Sequence, residues 1–500
     1  MWTANVDGGC RRRVSAADVG GRSRGQMWAD ADGQTRRTDA ARSRSRGTRV
    51  ESIRILRRQP IDRDILRLAV PALGALIAEP LFLLSDSAMV GHLGTTPLAG
   101  LGLASAVLQT IIGLMVFLAY STTPAVARWL GAGDRRRAVS VGVDGLWLAL
   151  GLGLLLAIAG WFATPKLVGA FGAERAVTTD AATYLGISML GLPAMLIVFA
   201  ATGLLRGLQD TRTPLYVAGI GFAANILLNL WFIYGLGLGI AGSAIGTVVA
   251  QWGMVAVYLV VVVRHVRREG TRLRPHRAGM LLGAASGGWL FLRTVSLRAA
   301  MLLAVLVATR LGSPELAAFQ IAMTLFATLA FALDALAIAA QALVGRALGA
   351  SDLASVRAVL RRCLEWGVLS GVALGVIVIA VSGVLGGLFT SSTDVASLLP
   401  ATLIVLGASV PLGGVVFVLD GVLIGAGDAR YLALTGLVNL AVFVPLAIAV
   451  MVWAPSGATG LALLMAAFAL GYLGARAVTL GLRTHSDRWM VVGARSSPSR

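Results

Sequence analysis

Two carboxylates in an apolar stretch near residue 80 are the side chains best placed to do chemistry. Glu79 and Asp86 lie among mostly apolar residues. A carboxylate in hydrocarbon costs at least about 2.5–3.5 kcal/mol on insertion scales, so each is a functional candidate. Their seven-residue spacing is close to two helical turns, which places both acids on one helix face about 10 Å apart.

Other residues in the same stretch and in two later ones predict how these acids work. Pro71 and Pro80 remove backbone hydrogen bonds and permit a bend or local unwinding of the helix. A buried acid beside a bendable segment can couple protonation to shape. The i, i+4 pair Asn225 and Asn229, together with Thr247, could hydrogen-bond the acids or only hold helices together.

A second set of charged residues occupies apolar segments of the other half of the chain. Asp334 and Asp420 are candidates for an acidic cleft, and a purely structural role is the alternative. Arg293 and Arg298 either extend to the membrane surface or pair with one of these aspartates.

The composition requires a membrane around these residues. Of 500 residues, 57% are hydrophobic and 13% are charged, against roughly 45–50% and about 25% in soluble proteins. The mean hydropathy is +0.80. The sequence has no nucleotide-binding loop, HExxH or CxxC motif. An ATP-driven pump, a metalloenzyme and a nucleic-acid-binding protein are therefore not expected, and no cofactor is predicted beyond a coupling ion.

Windows of about 20 apolar residues predict an all-α integral membrane protein with twelve transmembrane helices. The predicted spans are 66–90, 98–122, 139–163, 182–205, 214–237, 242–263, 286–309, 315–341, 364–389, 400–424, 431–453 and 458–481.

Arginines sort to one side of these spans, which predicts the orientation. The other side holds only Lys166, Arg175 and Arg310 in its loops. By the positive-inside rule both termini are cytoplasmic, in a plasma-membrane protein. The arginine-rich side holds Arg128, Arg135, Arg136, Arg137, Arg206, Arg212, Arg264, Arg267, Arg268, Arg272, Arg274, Arg277, Arg346, Arg357, Arg361, Arg362 and Arg430.

The second half of the chain repeats the first. The loop from Gly131 to Asp134 recurs from Gly349 to Asp352, an offset of 352 − 134 = 218. Each half has six spans, an even number, so two pseudo-symmetric six-helix bundles are expected about an axis along the membrane normal. Two matched lobes around a substrate path are typical of an alternating-access transporter, and a single working monomer is expected.

The predicted domains follow from these patterns. Residues 1–60 are a disordered basic cytoplasmic tail, because their polar composition cannot bury a core. The N lobe spans 61–264 and the C lobe 286–482, with a cytoplasmic linker at 265–285 and a cytoplasmic tail at 483–500.

The chain resembles the multidrug and toxic compound extrusion (MATE) family, most closely its DinF-like branch, over about residues 60–485. The residues that carry the resemblance are Leu68-Ala-Val-Pro71, Asp86-x3-Val90-Gly91-His-Leu-Gly94, Gly203-x2-Arg206-Gly207-x2-Asp210-Thr211, Asn225-x3-Asn229, Leu333-Asp334-x-Leu-Ala-Ile-Ala-Ala-Gln341 and Leu419-Asp420-Gly-Val-Leu-x-Gly-Ala-Gly-Asp428.

The resemblance implies two six-helix bundles around a cleft and exchange of cationic or amphipathic compounds for H⁺ or Na⁺. Asp86 falls on the aspartate that relatives use for the ion, and Pro71 on a proline near which relatives bend. Asn225 and Thr247 fall on polar partners of that aspartate. Asn229 stands where many relatives have aspartate, and Glu79 where some have glutamine.

The predicted function is therefore a secondary antiporter that exports cationic or amphipathic small molecules. A flippase for lipid-linked precursors is the alternative within the same superfamily. A membrane-embedded enzyme or a receptor-like scaffold is a third class, but no nucleophile or metal cluster at one membrane depth is visible.

Overall fold

The computed structural model describes residues 60–390 and 392–494, and the predicted tail at 1–60 lies outside them apart from Pro60. These residues form helices joined by short loops and contain no strand. The helices are α1 Pro60–Gly91, α2 Thr95–Gly131, α3 Arg135–Gly169, α4 Arg175–Met189 with Leu192–Gly207, α5 Arg212–Gly235, α6 Gly239–Arg268, α7 Arg277–Leu311, α8 Ser313–Gly349, α9 Leu353–Phe389, α10 Thr393–Gly425, α11 Ala429–Trp453 and α12 Ala458–His485.

Eleven of these helices are long and apolar enough to cross a membrane, and α4 makes the twelfth if its two halves form one span. The halves of α4 meet at an angle of 48°. The break lies at Gly191, just before Pro193. The repeat places Pro411 at the matching position, since 411 − 193 = 218, yet α10 runs through it without interruption. The twelve predicted spans are present, with one of them bent.

The loops that mark the repeat are the same turn in both halves. Asp134 accepts a hydrogen bond from the backbone N–H of Arg137, and Asp352 accepts one from Ser355, each at 2.9 Å. The residues before them, Gly133 and Ser351, have φ of 79° and 59°. An aspartate N-cap after a left-handed residue ends one helix and starts the next.

The two halves meet in a close crossing of α2 and α8. A Cβ on Gly131 would lie 2.8 Å from the carbonyl carbon of Arg346, and a Cβ on Gly349 would lie 2.7 Å from that of Arg128. The crossing is symmetric, because 349 − 131 and 346 − 128 are both 218. Glycine is required here because the backbones approach too closely for any side chain.

The lobes are also joined by charges at the end of the bundle where α1 begins and α2 ends. This end carries the loops 132–134, 269–276 and 350–352, and we call it the basic end. Asp62 of α1 forms an ion pair at 2.5 Å with Arg362 of α9 and accepts a hydrogen bond at 3.0 Å from Trp366. Arg128 donates to the carbonyl oxygen of Ala426. The basic end is therefore closed.

The segments predicted as linker and tail are more ordered than expected. Within 265–285, α6 continues to Arg268 and α7 begins at Arg277, so the loop is 269–276. After α12, Trp489 is buried, and the backbone N–H of Gly493 donates to Leu348 at 2.9 Å. The segment from 483 onward packs against the bundle as far as residue 494.

Candidate functional site

Asp86 lies at the centre of a buried polar cluster in the N lobe, near the end of α1 opposite the basic end. Its carboxylate accepts hydrogen bonds from Tyr184 of α4 at 2.8 Å and from the Asn229 amide of α5 at 3.0 Å. Ser243 of α6 donates a third. All four side chains are buried. One carboxylate therefore ties α1 to three other helices of its lobe.

Asn225 and Thr247 form a second layer behind this cluster. The Asn225 amide donates to Thr247 at 3.1 Å and exchanges weak hydrogen bonds with Asn229 at 3.4 and 3.5 Å. The prediction that Asn225 and Thr247 bond the carboxylate directly is wrong. Each lies about one turn along its helix from the residue that makes the contact: Asn225 contacts Asn229, and Thr247 contacts Asn225.

Glu79 does not share this environment. The Glu79 side chain is exposed on the surface of α1, and it makes no hydrogen bond or ion pair with the described residues. Glu79 therefore does not share the hydrogen-bonded cluster of Asp86, from which it is separated by about two helical turns. Pro71 and Pro80 lie inside the uninterrupted helix α1.

The C lobe holds a second cluster, around Asp420 of α10. Arg293 of α7 forms a two-point ion pair with its carboxylate, one contact being Nε to Oδ1 at 3.1 Å. Arg476 of α12 donates to the same carboxylate at 3.1 Å. The expectation that Asp420 widens an acidic cleft is wrong, because two guanidinium groups more than neutralise it.

Asp334 connects the C lobe to the N lobe. The Tyr120 hydroxyl of α2 donates to its carboxylate at 3.3 Å, and Arg206 of α4 lies within electrostatic range. The Gln341 amide of α8 donates to the backbone of Tyr120 at 2.9 Å. Asp334 is therefore part of an inter-lobe contact, balanced by Arg206, rather than a free acid.

The two clusters do not lie at corresponding positions of the two repeats. Asp420 and Arg476 correspond to Thr202 and Tyr258, which hydrogen-bond at 3.0 Å in the N lobe. Asp86 and Ser243 correspond to Ala304 and Leu461, both buried and apolar. Each lobe thus has one charged cluster where the other has neutral or apolar side chains.

Sequence reasoning missed Tyr184, Ser243 and Arg476. Ser243 is four residues before Thr247, so an i, i+4 search on α6 would have found it. Arg476 lies within the predicted span 458–481, where any charged residue is a functional candidate. Among the described residues no group of three His, Cys, Asp or Glu side chains could hold a metal ion.

The sequence and the fold can be compared with those of known proteins. The family model described as MatE matches residues 71–231 and 291–455. "Protein DETOXIFICATION 44, chloroplastic" from Arabidopsis thaliana is 31% identical over 386 residues, 75% of this chain and 74% of that protein. "DNA damage-inducible protein F" from Escherichia coli (strain K12) is 30% identical over 246 residues, 48% of this chain and 52% of that protein.

Solved structures share the fold. A MOP superfamily transporter from Pyrococcus furiosus superposes with a TM-score of 0.77 at 23% identity, covering 87% of this chain and 97% of that one. The Vibrio cholerae MATE transporter VcmN gives 0.77 at 21% identity, covering 86% and 98%.

Proposed function

Since the chain belongs to the MatE family of membrane transporters, we propose that it is a secondary antiporter driven by an ion gradient. The observation that carries the proposal is Asp86, one buried carboxylate that accepts hydrogen bonds from α4, α5 and α6. Such a carboxylate can exchange a proton or a monovalent cation for its protein partners.

Ion binding at Asp86 would change the packing of the N lobe. The ionised carboxylate accepts from Tyr184, Asn229 and Ser243 at once. A bound proton turns one of its oxygens into a donor that needs an acceptor, and the neutral carboxyl accepts more weakly from its three partners, so the hydrogen bonds rearrange. That rearrangement loosens the attachment of α1 to α4, α5 or α6, and Pro71 and Pro80 let α1 bend in response.

The lobes would then alternate around a path between them. The basic end is closed by Asp62 with Arg362 and by the α2/α8 crossing. We propose that the basic end and both termini face the cytoplasm, as the positive-inside rule predicts, and that the chain lies in the plasma membrane. The described state is then one in which the cytoplasmic side is closed, and opening it would separate these contacts.

We propose amphipathic organic compounds as substrates, in keeping with the similarity to a relative named "Probable multidrug resistance protein NorM". The match to the MatE model does not favour the flippase alternative. In the C lobe, Asp420 offers no free negative charge to a cation because Arg293 and Arg476 neutralise it. We propose that cationic compounds depend instead on Glu79, an exposed acid in the apolar part of α1.

Dye efflux from right-side-out membrane vesicles loaded with ethidium tests the proposal. Efflux of ethidium should stop when ionophores collapse both the proton and the sodium gradients. It should persist when ATP is removed and a gradient is imposed. Efflux that survives without any ion gradient and stops on ATP depletion would refute the antiporter.

A further inference from the structure

The connection between the two lobes carries a dense group of arginines at the basic end. Six arginines lie within residues 264–277, from the end of α6 through the loop 269–276 to the first residue of α7. All six side chains are exposed, and none forms an ion pair with a described residue. We call residues 264–277 the arginine segment, and its arginines are Arg264, Arg267, Arg268, Arg272, Arg274 and Arg277.

The arginine segment has almost no negative charge of its own. Its one acid is Glu269, which pairs at 2.9 Å with Arg135 at the start of α3. Glu269 therefore neutralises none of the six arginines. A concentration of one sign of charge attracts counter-ions and anionic partners from outside the molecule.

Contacts with α3 place the loop at the level of the membrane surface. The Trp147 indole N–H donates to the carbonyl oxygen of Leu273 at 2.7 Å, and the backbone N–H of His276 donates to Asp144 at 2.8 Å. Trp147 and Lys166 are 166 − 147 = 19 residues apart. That spacing is about 28 Å along a helix, close to the roughly 30 Å of the hydrocarbon layer. Exposed tryptophans favour the interface, so the loop lies beside the lipid headgroups.

Exposed leucines accompany the arginines there. Leu273 is 46% exposed and stands between Arg272 and Arg274. Leu281 is 70% exposed and lies one turn after Arg277 on α7. Cations at the headgroup level with apolar side chains next to them match a lipid, which has a phosphate above its acyl chains. A soluble polyanion would match the arginines and leave the leucines without a partner.

The repeat shows that the helices pack without these charges. The equivalent C-lobe segment also lies at the basic end, where Gly493 donates to Leu348 at 2.9 Å. Five of the six arginines have a described equivalent 218 residues later, and none of these is an arginine or a lysine. The equivalents are Leu482, His485, Ser486, Met490 and Val492. The charge is thus specific to the connection between the lobes.

We propose that the arginine segment binds the phosphate groups of anionic phospholipids in the adjoining leaflet. Arg272, Arg274 and Arg277 lie next to the exposed leucines and contact the headgroup directly. A guanidinium group donates two parallel hydrogen bonds to a phosphate, which an ammonium group does not. The three arginines at the end of α6 add long-range attraction. This binding requires no ion exchange at Asp86 and no transport.

Lipid binding to the purified full-length protein in detergent tests the proposal. Phosphatidylglycerol and phosphatidylcholine with identical acyl chains are titrated separately, and native mass spectrometry counts the lipids bound. Each arginine near an anionic surface contributes about 1 kcal/mol, so the first phosphatidylglycerol should bind at least about tenfold more tightly than phosphatidylcholine. Equal affinity for the two lipids would overturn the proposal.

Variants locate the binding. The double change Arg272→Gln with Arg274→Gln should weaken phosphatidylglycerol at least about tenfold and leave phosphatidylcholine unchanged. Arg357→Gln with Arg361→Gln removes the same charge from the C lobe at the same end, where both arginines already have acidic partners, and should keep the preference. Phosphatidylglycerol binding that is unchanged in the first pair, or equally weakened in the second, would contradict the site.

A competitor without acyl chains separates a lipid site from a phosphate site. Glycerol phosphate at the same concentration should not displace phosphatidylglycerol, because it lacks the chains that contact Leu273 and Leu281. Displacement by glycerol phosphate would contradict docking of a lipid.

Discussion

Asp86 is held by hydroxyl and amide donors rather than by a positive charge. Its three donors, Tyr184, Asn229 and Ser243, come from three helices and are neutral. Asp420, by contrast, is held by two guanidinium groups, those of Arg293 and Arg476. Neutral donors leave Asp86 able to take up a proton or a cation, and this difference separates the coupling candidate from the structural ion pair.

Removing one donor should weaken coupling without removing the ion site. A hydrogen bond to a charged group contributes about 1.5–3 kcal/mol. Tyr184→Phe and Ser243→Ala are therefore each expected to slow gradient-driven dye efflux about tenfold or more in vesicles with equal amounts of protein. Tyr216→Phe is the matched control, since Tyr216 is 64% exposed and makes no contact with Asp86. Wild-type efflux in both site variants would mean that these donors do not support coupling.

At this scale the sequence predicted the acid better than its partners. Asp86 stands out because a carboxylate is costly in an apolar helix. Tyr184 and Ser243 carry no such cost, and which of many hydroxyl groups meets the acid depends on helix rotation and packing. Glu79 is an equally costly carboxylate in the same apolar helix, yet it lies outside the cluster, so this cost alone does not identify the residues of a site.

The α2/α8 crossing is the element that keeps the two lobes together at the basic end. Gly131 and Gly349 face the backbones of the opposite helices, and Arg128 reaches from α2 to the carbonyl oxygens of Val491 and Gly493 at 3.0 and 3.2 Å. The chain beyond α12 thus fastens to the same crossing. Close backbone contact makes the crossing sensitive to a single methyl group.

A methyl group at this crossing should open the basic end. Gly131→Ala or Gly349→Ala would force α2 and α8 apart, because a Cβ would overlap the facing carbonyl group. Spin labels on Arg136→Cys and Arg357→Cys report the distance between the lobes. We expect longer distances in either alanine variant. Gly151→Ala, which has open space around its Cβ, should match the wild type, and unchanged distances in the crossing variants would contradict this role.

Hydropathy predicted the number of helices, while tertiary contacts decided where they end and bend. Helix α6 extends to Arg268 and α7 starts at Arg277, because polar residues outside the apolar core still continue a helix. The break in α4 near Pro193 and the continuous α10 at Pro411 show that the same residue in the same repeat position has two outcomes. Local sequence could not decide between them.

The whole molecule combines a symmetric frame with asymmetric charges. The 218-residue offset predicted the paired lobes, and the close crossing obeys it. The polar clusters do not, because Asp86 and Asp420 have no charged counterparts in the other lobe. This asymmetry separates a carboxylate held by neutral donors in the N lobe from a carboxylate held by two arginines in the C lobe.

Asp62 and Arg362 link the lobes at the basic end. Breaking this buried ion pair should loosen the contact between the lobes there. Removing one partner of a buried ion pair typically costs about 3–5 kcal/mol, and the cost here is lower because Arg362 keeps its ion pair with Glu365. Asp62→Ala should therefore populate states in which the start of α1 leaves α9. The native thiol of Cys363, buried next to Arg362, reports this as faster maleimide labelling in a Cys10→Ser background.

The exposed ion pair between Arg357 and Asp487 provides the control for that measurement. Its side chains are 56% and 73% exposed, so its contribution is at most about 1 kcal/mol. Arg357→Ala should leave Cys363 labelling near the wild-type rate. If Cys363 in Asp62→Ala is labelled as slowly as in the wild type, the Asp62–Arg362 pair does not hold the lobes together.

The most direct test of the account is substrate exchange by proteoliposomes with imposed H⁺ or Na⁺ gradients, comparing the wild type with Asp86→Asn. The asparagine keeps the size of the side chain and removes the charge, so gradient-driven transport should be lost while the protein stays folded. Asp144→Asn changes another buried carboxylate of the N lobe, one that accepts from the backbone of His276 at 2.8 Å, and should retain transport. Gradient-driven transport at the wild-type rate by Asp86→Asn would contradict the central claim that this carboxylate couples the ion to the substrate.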